Sequence, residues 1–323
     1  MESQAYELWH ERDFALTGRK GPGHMEEELF EIYQRNFPLI VRDENTVRRI
    51  LSDENNRIIE ERDARHKLIG AAVVNKDALL LFCVDEKYRN RGIGSRLLES
   101  AEQLVKDCGY ERLIVGAGFD YITPGVPTSK RWFDSENEAL TPGLDETASD
   151  FFTKRGYIHA WECNCFDMKC LLTHFTKASP QVGDVVEGMT YRWAVSDDLE
   201  QVCACTDDAY SAFTEYYRQE GLYHADSPAR VLIAVLGGDV VGTLIVTIGD
   251  EKQKLGSVGC TTVRPAFRGR HIAVNLVIAA NGYLEKKGMK EVYLSYTYSG
   301  LDHMYGYAGY QICIYYMMAE KTL

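Results

Sequence analysis

The chain lacks any run of the roughly 18 apolar residues that a helical membrane span requires, and its first residues lack the basic-then-apolar layout of a secretory signal. Both absences make the cytoplasm the expected location and leave no membrane among the expected partners. Basic charge is also short: 36 lysines and arginines face 48 aspartates and glutamates, a net charge of −12. Binding a phosphate backbone needs a basic face, so no nucleic-acid partner is expected. The same acidity would steer a cationic ligand, although surface carboxylates also serve plain solubility. Metal-site spacing is missing too. The nine cysteines are odd in number and scattered, and the densest group, Cys163, Cys165 and Cys170, matches neither CxxC nor a common zinc arrangement. Alternation puts Cys163 and Cys165 on one face of a strand. The thiols read as free and mostly buried, with no metal and no redox chemistry.

What is present is the composition of a soluble globular protein, 45% hydrophobic and 26% charged. A length of 323 residues fits about two domains of roughly 150 residues each. Residues 1–24, closing on Gly21-Pro22-Gly23-His24, show no periodicity, whereas Met25 followed by Glu26, Glu27 and Glu28 looks like a helix beginning. That leader reads either as native or as vector-derived, and nothing rests on it.

Periodicity predicts an amphipathic helix over 25–37, with Leu29, Phe30, Tyr33 and Phe37 on one face, and a short helix over 44–52. Strands follow at 57–61, 67–74 and 78–84, then a Gly-containing turn, a helix from Ser95 to about Cys108, and a buried strand from Arg112 to Gly116. The second half repeats this order. Strand 189–195 leads to a helix capped by Ser196 or Asp197; strands 230–236 and 240–248 flank a Gly237-Gly238-Asp239 hairpin turn. Strand 254–263 precedes a basic turn, a helix to about Lys287, strand 291–297, a short helical piece and strand Gln311–Met318. Antiparallel strands followed by strand-helix-strand units make an α/β (mixed α+β) fold. The expected domains are 25–178 and 189–323, divided where Ser179, Pro180, Gly183 and Gly188 cluster without periodicity.

The repeat is the informative feature. Val84-Asp85-Glu86-Lys87-Tyr88-Arg89-Asn90-Arg91-Gly92-Ile93-Gly94 aligns without a gap on Val263-Arg264-Pro265-Ala266-Phe267-Arg268-Gly269-Arg270-His271-Ile272-Ala273, at an offset of 179. A turn joining a buried strand to a helix aims backbone N–H groups at one spot beside the positive helix end, which suits a pyrophosphate. Gly92 and Gly94 let the backbone approach such a ligand, and Arg89 and Arg91 add charge. A P-loop is excluded because Ser95-Arg96 follows Gly94 where Lys-Ser/Thr is needed. A Rossmann fingerprint is excluded because Leu97 stands where its third glycine belongs.

These residues resemble the GNAT superfamily of N-acetyltransferases, whose loop reads Gln/Arg-x-x-Gly-x-Gly/Ala. Arg89, Gly92 and Gly94 match it fully; Arg268 and Ala273 match in the second half, where His271 replaces the central glycine. A second family segment, Phe-Tyr-x-x-x-Gly-Phe/Tyr, occurs as Phe151 to Tyr157 and as Met304 to Tyr310. The resemblance covers nearly all of residues 40–323 and implies two GNAT-like domains, each a mostly antiparallel mixed sheet flanked by helices. It implies acetyl-CoA as co-substrate and direct transfer in a ternary complex. Cofactor contacts are implied at Cys83 and Val84, at Arg89, Asn90, Arg91, Gly92, Ile93, Gly94 and Ser95, and at Phe152. A second, degenerate site is implied at Val263, Arg268, His271 and Ala273. The thioester carbonyl would meet a backbone N–H near Val84 or Val263. The family's tyrosine, which protonates the departing thiolate, is Tyr305 in the second half and Phe152 in the first.

Each half therefore carries one departure from the pattern. A histidine's Cβ would block close approach or a positive φ and remove much of the cofactor affinity, whereas losing a proton donor typically costs about 10²–10⁴ in rate, and less where a thiolate of pKa about 8.5 leaves without help. On that comparison the first half is expected to bind acetyl-CoA and catalyse, with an active second half as the alternative. Between Gly118 and Ala148 the first half carries about 26 extra residues, an insertion spanning about 119–147. Trp132 and Phe133 stand there amid Asp134, Glu136, Glu138, Asp145 and Glu146, which reads either as an acceptor loop for a cationic amine or amino sugar or as a free excursion. Asp120, Tyr121 and Glu60 are candidate bases. The expected function is N-acetylation of a small primary amine. The alternatives are an inactive acyl-CoA sensor or scaffold, and transfer of a longer acyl group; the oligomeric state is left open.

Overall fold

A computed structural model describes residues 22–40, 42, 44–116, 121–133, 144–249 and 252–323. The described residues begin with two amphipathic helices, α1 (Pro22–Asn36) and α2 (Glu44–Leu51). They bury Leu29, Ile32, Val47 and Ile50 in one cluster. Strands β1 (Arg57–Arg62), β2 (Leu68–Asn75) and β3 (Ala78–Val84) then pair antiparallel. Strand β2 is buried along nearly all of its length because successive side chains serve two cores. Ala71 and Val73 join the α1–α2 cluster, while Ala72 and Val74 join the cluster under α3 (Ile93–Asp107). That helix buries Ile93, Leu97, Leu98, Ala101 and Val105, the stripe a 3.6-residue period dictates.

The remaining helices and strands of the described residues are, in chain order, β4 (Arg112–Val115), β5 (Val126–Thr128), α4 (Thr147–Thr153), β6 (Ile158–His159), β7 (Cys165–Leu171), β8 (Val185–Val186), β9 (Met189–Trp193), α5 (Leu199–Tyr210) and α6 (Thr214–Tyr217). They continue as β10 (Ala229–Leu236), β11 (Asp239–Ile248), β12 (Leu255–Val263), α7 (Ile272–Lys286), β13 (Glu291–Tyr298), α8 (Asp302–Tyr307), β14 (Gln311–Met317) and β15 (Ala319–Thr322). Gly237 and Gly238, at φ 62 and 97, make the two-residue loop between β10 and β11, as their composition predicts.

Two local expectations change. Neither Ser196 nor Asp197 caps α5: a 3-10 turn over Ser196–Asp198 precedes it, and the Asp198 carboxylate accepts the Val195 N–H at 2.9 Å and a paired bond from Arg192. Strand β7 begins at Cys165, so Cys163 lies before the strand rather than on its face.

The described residues form two units, each of mixed α+β architecture with a mostly antiparallel sheet. The first comprises residues through Trp132, 144–162 and Tyr316–Leu323; the second comprises Phe133 and Cys163–Tyr315. Their sheets explain this interleaving. In the first unit the strand order is β1-β2-β3-β4-β15-β6, with β15 antiparallel to β4 and to β6. In the second unit β14-β7-β13-β12-β11-β10-β9-β8 are neighbours, with β7 antiparallel to β13. Each repeat thus ends in a strand that completes the sheet of the other. The contiguous ranges 25–178 and 189–323 do not coincide with these units, because a swapped strand leaves no mark in local periodicity. Lys321 secures β15 through Glu102 at 2.9 Å, and Glu102 also accepts the Tyr157 hydroxyl at 3.1 Å.

Removing Ala319–Leu323 is expected to strip amide-exchange protection from β4 and β6 while β10 and β11 keep theirs. Hydrogen exchange read by mass spectrometry checks this; equal loss in both sheets would contradict it.

Candidate functional site

The two strand-to-helix turns have nearly the same backbone. After β3 a 3-10 turn over Glu86–Tyr88 leads to Arg89 at φ −63, ψ 162, and Gly92 at φ 78, ψ −5 caps α3. After β12 a 3-10 turn over Pro265–Phe267 leads to Arg268 at φ −63, ψ 160, and His271 at φ 56, ψ 16 caps α7. Each turn holds two left-handed residues, Asn90 with Gly92 and Gly269 with His271, so the glycine has changed places. The expectation that His271 obstructs the positive φ is overturned. The histidine adopts it, at a steric cost of roughly 1–2 kcal/mol.

Arg89 and Arg268 fold back on their strands: Nε donates to the carbonyl of Val84 at 2.9 Å and of Val263 at 3.2 Å. Both arginines brace the turn and leave it open; residues 89–92 and 268–271 are exposed. The first helical bonds run from Arg96 N to Gly92 O and from Asn275 N to His271 O. The amides of Ile93, Gly94 and Ser95, and those of Ile272 and Ala273, precede these ladders, which is the anion-binding arrangement of a helix start.

Beside each turn two parallel strands separate. Pairing of β3 with β4 covers Ala78–Leu79 only, and that of β12 with β13 covers Leu255–Ser257 only. Beyond those pairs lies a wedge, and its lining differs between the units. At the offset of 179, Phe82 corresponds to Thr261, and in the second family segment Phe152 corresponds to Tyr305. In the first unit Phe82 and Phe152 meet edge to face, centroids 5.3 Å apart, with Phe151 beside both. In the second unit Thr261 Oγ1 and the Tyr305 hydroxyl share a 2.9 Å hydrogen bond. Burial pushes the Tyr305 phenol up to about 12, and the Thr261 bond partly offsets that.

Several further residues belong to the wedges and carry no sequence motif. In the second unit Cys260 and Tyr296 take left-handed φ of 52 and 62, one on each strand. The Cys260 carbonyl accepts the Tyr217 hydroxyl at 2.6 Å. The Tyr296 N–H donates at 2.9 Å to Asp167, a fully buried carboxylate that also accepts from Ser295 and from the Tyr293 hydroxyl. In the first unit Arg155 stacks on Phe151 at 3.7 Å and donates to Ser95 Oγ at 2.7 Å, which sets a cation at the start of α3. The i,i+4 spacing of Phe151 and Arg155 was the available signal.

Other expected residues lie elsewhere or are engaged. Glu60 is exposed and tied to Arg62 at 2.8 Å. Tyr121 is buried; its ring lies under Arg42, whose guanidinium also donates to its carbonyl. Asp120 and the insertion's Asp134, Glu136 and Glu138 lie outside the described residues. Trp132 stacks on His159 in the first unit, and the Phe133 N–H donates to Asn164 in the second. Cys83 is buried and its thiol pushed up to about 12 by desolvation, so it packs rather than reacts. Among the described residues no three His, Cys, Asp or Glu side chains gather as a metal site.

The family model described as Acetyltransferase (GNAT) family matches residues 26–120 and 192–308. The chain belongs to the GNAT acetyltransferase family. That family uses acetyl-CoA and implies acyltransferase chemistry. Solved structures share the fold at low identity. A protein from Sphaerobacter thermophilus described as an N-acetyltransferase of this family is 18% identical, with a TM-score of 0.64, over 94% of each chain. A tandem GNAT protein from the clavulanic acid biosynthesis pathway is 13% identical, with a TM-score of 0.68, over 93% of this chain and 95% of that one. A glucosamine N-acetyltransferase region of a fungal multi-domain β-N-acetylglucosaminidase is 16% identical, with a TM-score of 0.70; it is matched over 96% of this chain, which spans 39% of that neighbour's length. No curated protein matches the chain.

Gly92→Ala is expected to destabilise the first unit by about 1–2 kcal/mol, and His271→Gly to spare the second unit a similar steric cost, offset in part by glycine's chain entropy. Denaturant unfolding followed separately in each unit by hydrogen exchange checks both signs.

Proposed function

We propose that the chain moves an acetyl group from acetyl-CoA to the nitrogen of a small primary amine, and that the second unit performs the transfer. The observation that carries this reading is the Tyr305–Thr261 pair at the wedge beside an open helix start. The amine lone pair attacks the thioester carbon, and the carbonyl electrons move onto oxygen, where a backbone N–H can hold them. Collapse then breaks the C–S bond. The phenol hydrogen-bonds to the departing sulfur, and the proton released by the amine goes through it or through water to complete the thiol. Because the phenol sits near 12 and a thiol near 8.5, Tyr305 is no net acid: it stabilises the sulfur by its hydrogen bond, and any proton it relays is replaced at once by the amine's.

In the first unit the corresponding positions are two phenylalanines with no proton to offer, although the helix start is equally open. This supports a first unit that holds acyl-CoA without turning it over, and it favours the alternative of an active second half over a catalytic first half. The net charge of −12 favours a cationic acceptor, and glucosamine heads the panel to test because a structural neighbour is described as acting on it. No described helix is long and apolar enough to cross a membrane, in keeping with the cytoplasm as the place of action.

Thiol release from acetyl-CoA with glucosamine, polyamines and amino acids tests the assignment. Tyr305→Phe is expected to lower kcat by about 10²-fold or more, whereas Phe152→Tyr leaves it within about twofold. Unchanged turnover in Tyr305→Phe would overturn the choice of unit. With Tyr305 as donor, the rate should show no descending limb near pH 10, where an ordinary tyrosine ionises; the phenol stays neutral until its raised value, near 12.

A further inference from the structure

The strand β12 contains a strained residue where the transfer would occur. Gly259 pairs with Ile245 and Thr262 with Thr243, so Cys260 and Thr261 stand opposite Leu244 alone. Such a bulge re-aims backbone groups. Cys260 also has φ 52, a conformation costing a non-glycine residue on the order of 1–3 kcal/mol unless its surroundings hold it. They do. The Tyr217 hydroxyl donates to the Cys260 carbonyl at 2.6 Å, and it accepts from Thr243 Oγ1 at 2.9 Å. Thr243 Oγ1 in turn lies 2.6 Å from Thr262 Oγ1. Tyr217 is fully buried, and desolvation raises its phenol well above the ordinary value, so it stays a donor.

The direction of that bond matters. Tyr217 packs in the cluster formed with α5 and β10, whereas Tyr305 packs in the cluster formed with α7. In a planar trans peptide the carbonyl and the N–H point opposite ways. With the Cys260 carbonyl drawn toward Tyr217, the Thr261 N–H points away from it, and the Thr261 side chain on that same residue reaches Tyr305. The first unit differs: its β2–β3 pairing also shifts register, at Leu80, but Leu81, which corresponds to Cys260, pairs with Val73 and is not left-handed. The turned peptide occurs in the unit that has the tyrosine.

We infer that Tyr217 is a positioning residue, which holds the Cys260–Thr261 peptide so that the Thr261 N–H meets the thioester carbonyl oxygen on the Tyr305 side of the wedge. This rests on the second unit being the transferring half. Tyr217 touches neither substrate nor the reacting atoms; it acts through the peptide it holds. The Tyr217→Phe variant keeps the ring and loses the clamp, and the Cys260→Gly change removes the steric reason for needing one.

The test uses the full chain carrying Gly92→Trp, which blocks the first unit's helix start, and the carbonyl stretch of bound carbonyl-¹³C acetyl-CoA. With Tyr217 intact the bound band should lie below that of free acetyl-CoA. In Tyr217→Phe it should return toward the free position, with kcat on the best amine falling about 10- to 100-fold, part of the loss seen when an oxyanion donor is removed, and KM for acetyl-CoA changing less than threefold. Adding Cys260→Gly to Tyr217→Phe should recover most of the shift, and this double variant covers the case in which Tyr217→Phe alone folds poorly. A bound band that stays in place in Tyr217→Phe overturns the inference, as does a parallel rise in KM with no change in kcat. Absence of any bound band in the Gly92→Trp background would instead overturn the choice of unit.

Discussion

Both units depend on two parallel strands that pair for two or three residues and then separate. Backbone groups on the separating edges lose their ladder partners, and unpaired backbone polar groups must find water or a ligand. The helix that follows the first strand starts beside this opening and adds its own unpartnered amides. A diphosphate and a thioester carbonyl are groups that such a place can satisfy, the former at the helix start and the latter at the strand edge. At each strand end an arginine folded back on the last carbonyl braces the turn beside this opening.

The units put the same opening to different uses. In the first, Phe82, Phe151 and Phe152 fill its side with rings, and Arg155 brings a cation to the helix start. In the second, hydroxyls line it, and buried polar groups hold two left-handed residues on its walls. Apolar contacts stabilise a fold without directing chemistry, whereas clamped strain is characteristic of sites where a backbone group must point somewhere unusual. The difference between Phe152 and Tyr305 is therefore one part of a larger divergence that includes Thr261, Tyr217 and Asp167.

Much of this was legible in the sequence. The repeated strand–arginine–helix pattern located both turns, and hydrophobic periodicity located α1, α3 and most strands within a few residues. The left-handed conformation of His271 is not legible because a sequence shows the bulk of a Cβ but not whether the backbone tolerates it; Gly269, two residues earlier, is the clue that the turn has shifted its glycine. Cys260 and Tyr296 gave no signal, since nothing about a cysteine or tyrosine in a strand announces a left-handed φ. Tyr217 and Asp167 were invisible for a related reason. Each acts on a backbone group far away in sequence, and one aromatic or one carboxylate in an apolar segment has no period to betray it. The exchanged strands β7 and β15 escaped because local pattern identifies a strand without naming its neighbours.

That exchange has a consequence for biogenesis. As the chain leaves the ribosome, β4 and β6 emerge long before β15, the strand that lies between them. The first unit must wait with a slot open in its sheet until the strands of the second repeat through β14 have been made, whereas the second already has β7 at hand when β13 and β14 appear. The half that is translated first is thus the half that closes last, and its bare strand edges in the interval are the part of the nascent molecule most in need of a chaperone's cover.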